Sequence, residues 1–441
     1  MTCRRLHLGL VALVVAAVHA AIFFTEPTHG TFDTDSYLVP ARALAAQHAF
    51  LGLDHVSYPM DQMYGGPTTI KPETIRTPGY PLLLMLTGIS VVRVVALQHL
   101  LDLLLALGIY LFVERTTGAP RAAFFAALVY GCDPPVVELA NQCMSDQPFT
   151  FVLALATAAV FFAIEKRSVR LAIAAGLLLG ASVMVRPISV YLFLPLTLVM
   201  LWRTRRPLVA AAFCIAALAL PSAWVARNAS RAGVATISSI SGDNALFFRA
   251  AGVLATEGWR PLDVVLAQQR HADALHTGIV RIRPQLLRAA EATTPDFASL
   301  NHAQRARIYT RLAVPIVLAH VPRVIGLMVS GTIELYLFAI PPLASVGALD
   351  FAAMRLLLLP GNAALLALAI AGALALRRVN VALLTLLLTV VIYLTIVSVD
   401  VEVGYRFAVP IAPMYAILIG AGLDQLLARA RARRDGNPGP S

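Results

Sequence analysis

A chain of 441 residues that is 59% hydrophobic and 13% charged is not an ordinary soluble domain, which runs about 45–50% apolar and about 25% charged. A mean hydropathy of +0.75 and recurrent apolar runs near span length make it an all-α, polytopic membrane protein. The net charge of +11 does not imply nucleic acid, because the basic residues are mainly arginines, many in short loops between apolar runs, as the positive-inside rule requires.

The first apolar segment, Leu6 to Phe24, follows Arg4 and Arg5 and has small residues near Ala20. It resembles a signal peptide but reads as an uncleaved anchor that holds the next loop at a fixed depth. That polar loop, 25–77, opens with T-F-D-T-D-S-Y and sets Asp33 and Asp35 at the mouth of a span. On its own, an acid beside Ser36 is a helix cap. Further spans are expected near 91–113, 121–138, 148–164, 170–185, 188–202, 208–225, 354–376, 379–397 and 409–428. With the first, this makes a bundle of about ten transmembrane helices. The basic loops at Arg115/Arg121, Lys166 to Arg170, Arg203 to Arg206 and Arg377/Arg378, and the tail from Arg429, belong on the cytoplasmic side.

The expected organisation is an N-terminal transmembrane module (1–225), an external and interfacial helical segment (226–353), C-terminal transmembrane helices (354–428) and a basic disordered tail (429–441). Within the middle segment, 226–313 is arginine-rich and mainly helical, with breaks at Gly258, Pro261, Pro284 and Pro295. The apolar run 314–340 is long enough to span. A crossing there would move Arg377/Arg378 and the basic tail outside, and Pro315, Pro322 and Arg323 interrupt it. It reads as a pair of interfacial or re-entrant helices on the outer face.

The chemistry collects on that outer face: Asp33 and Asp35, Arg76 and Tyr80 in R-T-P-G-Y-P, Asp146 in M-S-D-Q-P-F, Arg186 before Pro187, Arg227-Asn228, and Tyr405-Arg406 before the last span. Each has a bland reading, since arginines snorkel at span ends and Asp146 suits an N-terminal cap. Their joint placement is harder to explain that way. Inside the bilayer, His99 and Asp102 share one helix face and read as an interhelical clasp. The histidines show no metal-ligand spacing, and the four cysteines (Cys3, Cys132, Cys143, Cys214) are scattered, so neither a zinc site nor a disulfide framework is expected.

In their order, these motifs resemble the GT-C superfamily of integral-membrane glycosyltransferases, in its family 39 or aminoarabinose-transferase-like branch. The pattern comprises Asp33, Tyr37 and Ala41; Arg76 to Pro81; Ser145, Asp146 and Phe149; Gly176 to Pro187; Trp224, Arg227 and Asn228; and Tyr405-Arg406. Members acting on lipid A usually carry Asp-Glu in place of Asp33-Thr34, and Lys-Pro-Pro-Leu in place of Arg76 to Gly79. Reaction type therefore carries over better than substrate.

The resemblance implies a multi-pass protein of the cytoplasmic membrane, with its site on the external face. Because nucleotide sugars are cytoplasmic, an outward site implies a polyprenyl-phosphate sugar donor, with an envelope lipid, glycan or protein as acceptor. Asp33 is then the general base. Arg76, Arg186, Arg227 and Arg406 are candidate phosphate clamps, and Tyr37, Tyr80, Asp146 and Tyr405 complete the substrate site. No cofactor is required, although Asp33-x-Asp35 offers a second-ranked divalent-cation pair. The rival reading is a transporter or flippase of lipid-linked saccharides, which predicts inverted repeats; none is evident in the sequence.

Overall fold

The computed structural model describes residues 2–28, 30–31, 33–55, 68–338, 351–399, 401 and 403–434. It is a polytopic helical membrane protein, and each expected span coincides with a helix or helix pair. Among the described residues, eight helices are long and apolar enough to cross a membrane, or nine if one bent pair is a single span. The helix Val169–Val185 falls short in length, and Ala412–Arg434 carries Asp424 and four arginines in its second half.

Local sequence explains the boundaries. The run near 121–138 is two helices, Pro120–Gly131 and Pro134–Ala140, bent by 48°. Pro134 and Pro135 supply no amide for the first helix to continue, and they keep the preceding residue out of helical geometry. Ser90, Ser168 and Asn380 each accept a backbone N–H from three residues ahead, capping the helices Val91–Thr117, Val169–Val185 and Val381–Ser398. Small residues let the spans pack backbone to backbone. A Cβ at Gly176 would lie 2.4 Å from the Phe213 carbonyl oxygen on Pro207–Ala232.

The first loop contains one small hairpin: β1 (Leu51–His55) pairs antiparallel with β2 (Thr68–Pro72), Leu53 opposite Ile70. Two expected boundaries need correction. The helix Pro207–Ala232 runs past the expected boundary at 225, because nothing breaks it before Gly233, which is left-handed at φ +71°. Residues 429–434, read as tail, continue the last helix to Arg434, while 435–441 lie outside the described residues.

The segment 226–353 has its own core, which includes Leu246, Phe247, Ile279 and Tyr309. Asn301 and Gln304 form a reciprocal capping box at the start of its helix His302–Ala319. The run Val321–Phe338 passes the length and composition test for a span. Its contacts are divided: a Cβ at Gly326 would be 2.7 Å from Val264 and Ser330 Oγ accepts the Gln268 N–H at 3.1 Å, whereas Tyr336 Oη lies 2.8 Å from Thr395 Oγ1 on Val381–Ser398.

Candidate active site

Five separate elements deliver charged groups to one place. Asp33 stands at the start of the first-loop helix Thr34–Gln47, and Arg76 lies just before the helix Gly79–Leu86. Asp146 is the first residue of Asp146–Lys166, and Arg186 follows Val169–Val185 where Pro187 stops the helix. Arg406 lies in the single 3₁₀ turn Tyr405–Phe407 before the last helix.

The carboxylates bridge the arginines. Asp33 pairs through Oδ1 with Arg76 and through Oδ2 with Arg406 Nη1, the latter at 2.7 Å. Asp146 pairs with Arg186 and lies 3.2 Å from Arg406 Nε. The Arg406 fork therefore joins the two acids, and the cluster sums to two carboxylates against three guanidiniums. The Asp146 side chain is fully buried, whereas those of Asp33 and Arg406 are 21% and 25% exposed, so the cluster opens on their side. Burial alone would raise the Asp33 pKa; the Arg76 and Arg406 charges outweigh it and hold the group well below the ordinary carboxylate range.

A belt of neutral polar groups backs this cluster. Arg76 donates to Ser36 Oγ at 2.8 Å and to Tyr37 Oη at 3.2 Å, and lies 4.4 Å above the Tyr37 ring. Tyr37 Oη is 2.9 Å from Ser145 Oγ, and the Tyr37 ring meets Tyr80 edge-on. Tyr80 donates to Gln98 Oε1 at 2.9 Å; Gln98 in turn donates to the Gln142 carbonyl, and Gln142 donates to Tyr405 Oη at 3.1 Å. The belt thus runs from Arg76 to the neighbour of Arg406. Sequence reasoning passed over Ser36, Ser145 and Gln142 as site residues and gave Gln98 no role. Their only signal was adjacency to the named motifs.

Two expected site residues stand apart. Arg227 donates to the carbonyls of Phe50 and Glu73 and sits over Trp224, so it pins the first loop rather than joining the cluster. Asp35 is exposed on the first turn of its helix. It does not share a site with Asp33, both of whose oxygens face guanidiniums. The bilayer clasp is present, with Tyr130 donating to Asp102 at 2.6 Å and His99 within 2.8 Å of His19.

A groove opens next to the turn that carries Arg406, without being lined by any residue of the cluster. Tyr130, Asp133, Leu335, Tyr336, Ala408 and Tyr415 line it between the bent pair, the last helix and the end of Val321–Phe338. Ala408 follows Arg406 by two residues.

Residues 80–226, a third of the chain, match the family described as dolichyl-phosphate-mannose-protein mannosyltransferase. No curated protein sequence matches. Among solved structures, the Archaeoglobus fulgidus oligosaccharyltransferase, tethered to an acceptor peptide, matches 99% of this chain and 52% of its own at 16% identity, with a TM-score of 0.50. The chain thus spans about half the length of that protein. ArnT from Cupriavidus metallidurans bound to undecaprenyl phosphate matches over 96% of this chain and 79% of its own, at 16% identity and a TM-score of 0.42. The likeness is one of fold alone, shared with the Archaeoglobus fulgidus oligosaccharyltransferase.

Proposed function

We propose that the protein transfers a sugar from a polyprenyl-phosphate donor to an envelope lipid, glycan or protein acceptor on the outer face of the cytoplasmic membrane. The observation that carries this reading is the open cluster in which Asp33 and Asp146 hold Arg76, Arg186 and Arg406. The acceptor hydroxyl gives its proton to Asp33 as its oxygen attacks the anomeric carbon. The bond to the phosphate oxygen breaks on the opposite face, inverting the centre. The polyprenyl phosphate leaves with both electrons, and guanidinium forks take up the new charge. The groove beside Arg406 suits the apolar chain of the lipid.

A carboxylate held by two guanidiniums is a weak base. The arriving phosphate competes for Arg76 and Arg406, and each contact it wins from Asp33 raises the basicity of that carboxylate. Donor binding and base activation are then one event. The excess of guanidinium over carboxylate in the cluster favours anion capture, and neither Asp33 oxygen is left to a cation.

The test is transfer by purified protein from a defined polyprenyl-phosphate sugar to extracted envelope acceptors, read by mass spectrometry. Glycosylated product is expected, and its absence with every such donor would sink the reading. A topology reporter within 240–310 is expected to report outside; a cytoplasmic signal would move the site to the wrong face.

A further inference from the structure

A buried line of side chains leads from the outer segment to Arg76, and the transfer chemistry above makes no use of it. Asp243 Oδ2 lies 3.2 Å from His302 Nε2, and His302 Nδ1 lies 2.6 Å from Ser239 Oγ. Ser239 Oγ is 3.0 Å from Thr74 Oγ1, and the Ser239 N–H donates to the Thr74 carbonyl at 2.8 Å. Ser238 Oγ donates to the Ile75 carbonyl. Asp243, His302, Ser239, Ser238 and Thr74 are all at least 95% buried.

From the other side, Glu73 Oε1 accepts the N–H groups of Ile75 and Arg76, the latter at 2.8 Å. The Glu73 carboxylate fits there only because residue 52 is glycine: a Cβ would stand 1.7 Å from Oε2. The backbone of 73–76 is therefore held by its own loop and by the outer segment together. Its last residue is the arginine that grips Asp33, Ser36 and Tyr37.

The Ser239–His302–Asp243 order is that of a nucleophile triad, but Ser239 is 1% exposed and already engaged by Thr74. No substrate reaches it, so the line orients rather than attacks. Burial lowers the His302 pKa, while Asp243 and Asp54 raise it more than burial and Arg305 depress it. A protonated His302 donates through Nδ1 to Ser239, which leaves the Ser239 hydroxyl free to donate to Thr74. Tyr309 and Lys71 complete the ionisable groups around this line; Lys71 bridges to Asp54 at 2.9 Å.

We propose that Ser239, His302 and Asp243 are positioning residues for the transfer reaction. They act through Thr74 on Arg76, and so set where Asp33 meets the donor phosphate. The outer segment then completes the reaction centre without touching substrate. This inference rests on the transfer reading above.

The decisive variants are Thr74→Val, which removes one hydroxyl at nearly constant shape, and Thr74→Ser, which keeps it. Misplacing a catalytic group by a fraction of an ångström to 1 Å costs up to about 100-fold in rate. Thr74→Val is expected to lose about 10- to 100-fold in transfer rate at unchanged membrane yield, and Thr74→Ser to stay near wild type. In an Arg76→Lys background, Thr74→Val should cost little more, because the group it positions is already altered. Additive losses would overturn the proposal.

Amide exchange gives a readout that needs no substrate. Thr74→Val and Ser239→Ala should raise exchange at residues 33–40, across the Arg76 contacts, and Thr74→Ser should not. Unchanged protection there in Thr74→Val overturns the proposal whatever the transfer assay shows. If the wild type transfers nothing, the functional reading falls while exchange still decides the positioning role.

Discussion

The molecule holds two clusters in which acids meet bases, and they are built differently. In the candidate site, Asp33 and Asp146 face three arginines, and Asp33 and Arg406 keep a fifth to a quarter of their side chains in contact with solvent. Between the first loop and the segment 226–353, Asp54 meets Arg305 and Lys71, and Asp243 meets His302; apart from Lys71, these side chains are at most 5% exposed. The first cluster has excess positive charge, an opening and forks shared between partners. The second is sealed and joins strand β1 to the helix His302–Ala319. Burying a pair in that way adds little net stability, but it makes loss of one partner expensive. The open cluster is arranged to exchange partners, and the sealed one to keep them.

The largest expected effect is on the open side. Asp33→Asn keeps the size of the side chain but cannot take the acceptor's proton. Losing a general base costs about 10²–10⁴-fold in rate. Transfer should fall by that amount while membrane yield stays near wild type, and the thermal midpoint should drop modestly at pH 7 because the two guanidiniums lose their carboxylate. Near-normal turnover would return Asp33 to the role of a loop residue. On the sealed side the outcome should be reversed. Arg305→Met removes one of the two cations that hold buried Asp54 and leaves Lys71 in place, so the loss of stability should be clear but below the about 3–5 kcal/mol of a buried pair broken outright. Thermal unfolding in detergent checks it, and a midpoint close to wild type would show the sealed cluster to be dispensable.

A smaller effect separates two arginines that the sequence placed together. Arg406→Lys keeps the charge but loses the fork that reaches both Asp33 and Asp146. The donor concentration needed for half-maximal rate should rise about tenfold, in line with the loss of one charge-assisted hydrogen bond worth about 1.5 kcal/mol. Arg227→Lys, whose partners are backbone carbonyls of the first loop, should leave that requirement unchanged. Equal shifts in both would mean that Arg227 reaches the donor after all.

The sequence displayed the spans because they follow from composition, which is a local property. It also singled out Asp33, Arg76, Asp146, Arg186 and Arg406, which the structure brings together, because each is a charged residue at a loop or helix boundary in a chain poor in charge. Their pairing was not legible: Arg406 and Asp33 are 373 residues apart in the chain. Arg227 looked equivalent to the others because position at a span end does not say whether the side chain turns toward the site or the loop. His302 carried no signal beyond a helix start, since Ser239 and Asp243 lie about sixty residues away in a segment with no spacing motif. The hairpin was hidden in a loop whose two strands are only five residues each.

The smallest expected effect contrasts the two clusters by pH. Asp33 has a folded pKa depressed below its ordinary value of 3.8. Its contribution to stability is present above that value and is lost as pH falls through the lower folded one. Glu73, at the edge of the sealed side, behaves in the opposite sense. Burial raises its pKa above the ordinary 4.5, and the N–H groups of Arg76 and Ile75, with the Arg76 and His302 charges, only partly offset this. Below 4.5 the group is protonated whether the chain is folded or not. As pH rises from there through the folded value, the unfolded chain ionises first and stability declines. Glu73→Gln keeps an oxygen for the Ile75 and Arg76 amides but cannot ionise. Its thermal midpoint should match wild type near pH 4 and exceed it modestly at pH 7, with transfer at pH 7 nearly unchanged. A variant that is weaker than wild type at pH 7 and equal to it at pH 4 would mean that Arg76 and His302 hold Glu73 ionised. The sealed side would then share the electrostatics of the open one.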